Sequence, residues 1–180
     1  MRLTRRSVLT LALCSVFAGS AWAHGPSRQK VELSIDIAAP ADKVWARVAN
    51  FHDMSWLPLV ARTEGEGGNE VGANRVLVLK AEGEPTIAEQ LTRYSAERMS
   101  YSYKITQVDV KVLPVTNYTS HLTVNADGDG KSRVEWRGAF YRGFPNNDPP
   151  PELNDAAAIA AVTGVYQAGL DALKAEMEAR

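Results

Sequence analysis

Near its C-terminal end the chain carries one unbroken apolar stripe. Ile159, Val162, Tyr166, Leu170, Leu173 and Met177 recur at intervals of 3, 4, 4, 3 and 4 residues, the spacing that places side chains on one face of an α-helix. This predicts a single helix over 155–179, and so long an apolar face requires a broad surface to cover. The preceding sequence offers one. Segments 30–37, 74–80, 86–94, 99–106, 117–124 and 133–141 read as strands bounded by turn residues, with the clearest breaks at 64–69 and 127–130. In the first, Val31, Leu33, Ile35 and Ile37 alternate with Glu32, Ser34 and Asp36, the mark of a half-buried strand. Later strands follow at short spacing with no helix between them, which implies an antiparallel meander. One short helix interrupts the series. Pro40 suits its first turn, Asp42 meets the positive end of its dipole, and Pro58 blocks continuation past Leu57. Ala41, Val44, Trp45 and Val48 form its apolar stripe. The expected class is α+β: a curved antiparallel sheet wrapped around a long C-terminal helix.

The first 23 residues have another character. Arg2, Arg5 and Arg6 precede an apolar run from Ser7 to Ala18, and Ala21-Trp22-Ala23 is a small-x-small cleavage site. This reads as a signal peptide for export to the periplasm, cleaved after Ala23, and the run is shorter than the roughly 20 residues of a membrane span. The Arg5-Arg6 pair also resembles a twin-arginine signal, so both export routes stay open. Residues 24–180 then form one domain with no membrane span. Removal of three arginines leaves that domain mildly acidic, and no basic stretch interleaves with aromatics, so nucleic acid is not an expected partner. Cys14 is the only cysteine and leaves with the signal. The mature chain is thereby expected to lack disulfides, a thiol nucleophile and covalently attached haem.

Strand alternation separates inward from outward positions. Val134, Trp136, Gly138 and Phe140 share a face; so do Met99, Tyr101, Tyr103 and Ile105; so do Tyr118, Ser120, Leu122 and Val124. With Trp56 and Tyr166 these faces nominate Trp56, Tyr101, Tyr103, Tyr118, Leu122, Trp136, Phe140 and Tyr166 as lining an apolar cavity with polar tips. A closed core that happens to use tyrosine fits the same pattern, and both readings stay open. Trp45 is expected to pack the short helix on the sheet, and Trp56 to form the rim of the cavity. Gly164 and Gly169 interrupt the long helix, through close approach, a widened mouth or tolerance on a solvent face.

No catalytic residue emerges. His121 falls on the polar face opposite its neighbour Ser120, a poor geometry for a Ser–His couple. Glu89 and Glu135 are read as surface residues. The calcium-loop imitation at 125–130 lacks the required acid at its twelfth position, Trp136, and is expected to be a hairpin turn. No cofactor is expected. A minor candidate is copper(II) at His24, which cleavage would make the first residue, with His52 or His121 as a further ligand.

The opening segment VELSIDIAAPADKVWARVANFHDMSWLP, the strand KSRVEWRGAF and the long final helix resemble the START-like, SRPBCC helix-grip superfamily, in particular its polyketide cyclase/dehydrase and lipid-transport group. The resemblance covers about residues 30–178. The mature start HGPSRQKVELS and the segment from Tyr141 to Lys174 further resemble the MxaD proteins of bacterial methanol-oxidation clusters. That likeness implies a periplasmic accessory protein whose partners are methanol dehydrogenase and its cytochrome c. The broader superfamily also implies a small hydrophobic ligand, with a lipid carrier or a cyclase-type enzyme as alternatives. The exposed, proline-stiffened loop 142–154 is a candidate docking surface.

Overall fold

The computed structural model describes residues 25–179. The expected signal peptide and His24 lie outside the described residues. Strands β1 (Gln29–Ile37), β2 (Val60–Glu66), β3 (Asn74–Leu79), β4 (Thr86–Ser95), β5 (Ser100–Val108), β6 (Val115–Ala126) and β7 (Ser132–Arg142) accompany helices α1 (Ala41–Val48) and α2 (Asp155–Glu178), with a 3-10 turn at Pro151–Leu153. The strands form one sheet in the order β1-β7-β6-β5-β4-β3-β2, antiparallel throughout. The first and last strands are therefore neighbours, and α1 with its following loop carries the chain to the opposite edge. This is the helix-grip architecture.

α1 buries Ala41, Val44, Trp45 and Val48. α2 buries Ala158, Val162, Tyr166, Gly169, Leu170, Leu173 and Met177 and packs chiefly on β1 and β7. By length and composition alone α2 would suffice to cross a membrane, but this stripe faces the sheet. Asn154 caps its start, accepting a hydrogen bond from Ala157 N at 2.8 Å. The loop before it is tied from beneath by the buried Arg142. Its guanidinium donates to Phe144 O (2.8 Å), Asn146 O (2.9 Å) and the Asp155 carboxylate (3.3 Å), leaving 145–148 exposed.

Two features depart from the sequence-based expectation. β2 has a single buried residue, Val60, so it has no apolar alternation to read. It is an edge strand held by backbone pairing with β3, and 64–66, expected to be a turn, lie inside it. Met99, expected in a strand, sits in the β4–β5 reversal with φ 44°, whereas the 127–131 turn closes the β6–β7 hairpin through Asp127 N and Lys131 O at 3.0 Å.

The two helix glycines differ. A Cβ on Gly169 would lie 2.9 Å from Leu57 Cδ1 and from Trp136 Cζ3, whereas one on Gly164 would meet nothing within 4 Å. Gly169→Ala is expected to lower stability by about 1–2 kcal/mol, overpacking outweighing the gain in helix propensity. Gly164→Ala is expected to raise it by about 0.5–1 kcal/mol. Urea denaturation of both variants checks the pair.

Candidate functional site

α2 does not fill the whole concave face. Between it, the loop before β2 and the β3–β4–β5 end of the sheet lies a cavity of about 390 Å3, within the size range of small-molecule sites. Its walls are apolar: Met54, Leu57, Leu77, Ile87, Leu113 and Val165 are among them. Polar groups enter at two places. Glu89, Tyr103, Tyr118 and Trp136 are buried, whereas Lys80 and Lys111 are exposed and mark the mouth.

Glu89 corrects the sequence reading, which placed it on the surface. It is 5% exposed and takes Arg75 Nε on its Oε2 at 2.6 Å. Arg75 is equally enclosed. It donates to Phe51 O at 2.5 Å, and its guanidinium lies 4.1 Å from the Phe51 ring centroid and 5.0 Å from that of Tyr103. Burial raises the pKa of the Glu89 carboxyl, and the Arg75 charge opposes that rise. Arg75 and Glu89 are direct partners in the β3–β4 register. A signal for the pair existed in the sequence. Glu89 shares parity with Ile87 and Leu91, and Arg75 with Leu77, so opposite charges sat on two adjacent inward faces.

A second polar cluster runs under α2. Trp136 Nε1 donates to Ser120 Oγ at 2.9 Å and to the Tyr103 hydroxyl at 3.2 Å. Ser120 Oγ lies 2.9 Å from the Tyr166 hydroxyl, which is 2.5 Å from that of Tyr118. Gly138 makes room: a Cβ there would collide with the Tyr166 hydroxyl. Trp136 and Tyr166 stack with centroids 4.2 Å apart and planes 9° from parallel. The network satisfies its own hydroxyls, so it braces the wall.

A family model described as polyketide cyclase / dehydrase and lipid transport matches residues 28–178. The chain belongs to that family. No curated protein matches the sequence. Among solved structures, XoxI from Bacillus cereus is 29% identical at a TM-score of 0.68, over 82% of this chain and 94% of that one. A protein from Nitrosospira multiformis is also 29% identical, at a TM-score of 0.66, over 83% and 96%. Norcoclaurine synthase from Thalictrum flavum, solved with dopamine and hydroxybenzaldehyde, is 18% identical at a TM-score of 0.64 over 96% of each chain. That last likeness is one of fold alone.

In this member of the polyketide cyclase/dehydrase family the residues nominated from sequence divide. Tyr103, Tyr118 and Trp136 line the cavity. Tyr101, Leu122, Phe140 and Tyr166 are buried but do not line it; Tyr101 packs near Trp45 and Phe51, with centroids 6.2 Å away in each case. Trp56 is not a rim residue. It is 3% exposed, its ring centroid 5.3 Å from that of Trp136, and it does not line the cavity. Met54, Leu77, Ile87 and Leu113 were missed because their apolar character does not distinguish a cavity wall from a core.

The two described histidines, His52 and His121, do not line the cavity. His121 lies on the outer face, half-buried, with Nδ1 2.8 Å from Ser102 Oγ and Nε2 2.8 Å from Thr123 Oγ1. Burial, with the Arg137 and Arg93 charges, pushes its pKa down. His52 Nε2 lies 3.0 Å from Asn74 O. Among the described residues no cluster of three metal-ligating side chains occurs.

The buried phenols give a pH prediction. Burial pushes Tyr101 up to about 12 and also raises Tyr103, Tyr118 and Tyr166. The folded-state values lie above the ordinary 10.0. This contribution to stability is therefore complete below about pH 10 and is lost as pH rises toward about 12. In an alkaline absorbance titration these four are expected to ionise only with unfolding. Early ionisation of all the tyrosines in a folded protein would contradict it.

Proposed function

We propose that the protein is a non-catalytic binding protein for a small, largely apolar ligand. As its place of action we propose the periplasm, as an MxaD-like accessory of methanol dehydrogenase and its cytochrome c. The observation that carries the binding role is the cavity, with an apolar wall and few convergent polar groups. The similarity to XoxI supports the narrower, MxaD-like reading.

A second reading, a cyclase-type enzyme, is favoured by one observation: a carboxylate at the cavity wall, buried enough to hold its proton more tightly than usual. Glu89 would then serve as general base, with Tyr103 and Tyr118 orienting a substrate.

Native mass spectrometry of the protein purified from its own periplasm tests these readings. Binding predicts a co-purifying apolar small molecule, recovered chemically unchanged, on a chain beginning at His24. Turnover of that molecule would select the enzyme. Retained dehydrogenase or cytochrome on an empty chain would shift the function to the outer surface.

A further inference from the structure

The two ends of the cavity differ in a way that specifies the ligand. At the deep end Glu89 uses one carboxylate oxygen on Arg75. Its Oε1 makes no hydrogen bond among the described residues. This oxygen is not sealed within the protein, and Glu89 lines the cavity, so a ligand there that brings a donor would satisfy it. A neutral donor fits best. Arg75 already balances the charge of Glu89, and an ammonium group would add an uncompensated cation in a low-dielectric site.

At the mouth the chemistry reverses. Lys80, following β3, and Lys111, in the β5–β6 loop, line the cavity and are exposed, and neither forms an ion pair among the described residues. Glu84, in the same turn region as Lys80, is held by Arg62 at 2.9 Å. Among the described residues, Glu89 is the one acidic residue lining the cavity. Lys80, just past the end of β3, is five residues along the chain from Arg75, the register partner of Glu89, a span of at most about 17 Å in extended chain. Apolar side chains occupy the wall between.

We propose that the cavity takes an amphipathic organic anion with a hydroxyl at its far end, the hydroxyl donating to Glu89 and the anionic head lying at Lys80 and Lys111. This rests on the reading of the cavity as a ligand site. It sets the chain length by the distance between the two ends and excludes cationic ligands of the same shape.

Three ten-carbon probes separate the terms. 10-Hydroxydecanoate has both ends, decanoate only the head and decan-1-ol only the hydroxyl, and each fits within the span once the lysine side chains reach inward. Calorimetric titration of the mature protein is expected to show 10-hydroxydecanoate binding about tenfold more tightly than decanoate. Lys80→Ala/Lys111→Ala, both at exposed positions, is expected to weaken 10-hydroxydecanoate about threefold or more at low salt and to leave decan-1-ol unchanged. Equal binding of 10-hydroxydecanoate and decanoate, or no loss in the double variant, would overturn the two-ended ligand while leaving the cavity a binding site. Failure of all three probes to bind would overturn both.

Discussion

Glu89→Ala is expected to lower the unfolding free energy by about 3–5 kcal/mol. The reason is the partner left behind. Arg75 is 1% exposed, so its charge would stay in the interior with the Phe51 carbonyl, two aromatic faces and the neutral Tyr101 phenol around it, and no anion. Its Nη2 is already buried without a hydrogen-bond partner, so little spare capacity exists to absorb the loss. Removing both charges is a different matter. Arg75→Met/Glu89→Leu fills a similar volume with apolar groups and is expected to recover most of the stability, because each charge's desolvation cost disappears with it. Urea denaturation of the single and double variants measures the contrast. A single-variant loss below about 1 kcal/mol would mean that Arg75 finds water or another anion, and that the pair is not sealed.

Trp56→Ala is expected to cost about 3–5 kcal/mol, as a buried tryptophan truncated to alanine does. Its ring packs near Trp136 and against the site where Gly169 brings α2 close. The loss opens a void between the helix, the sheet and the segment preceding β2. Trp56→Phe is expected to cost much less. The indole Nε1 is buried without a partner, so losing it offsets part of the lost contact area. A Trp56→Ala variant that keeps wild-type stability and loses only ligand affinity would restore the rim placement read from sequence.

The fold was legible because its two periodicities are strong. Alternation in 133–141 and 117–124 placed Trp136, Phe140, Tyr118 and Leu122 on the inner faces, where the structure buries them, and the α2 stripe was readable residue by residue. β2 was not legible, since an edge strand bound by its backbone needs no apolar pattern. The cavity was legible only in part. Alternation says which side of a sheet a residue faces, but not whether α2 lies over it. Phe140 and Tyr103 share the inner side; only Tyr103 lines the space α2 leaves open. Glu89 was misplaced because a carboxylate alone argues for solvent, and its burial depends on Arg75 one strand away.

Whether this cavity receives the ligand is decided by methyl NMR of the protein titrated with decan-1-ol. Shifts are expected at Met54, Leu77, Ile87 and Leu113, which line it, with Leu122 and Leu173 little changed. Perturbations confined to the outer face, or none at saturating probe, would contradict it.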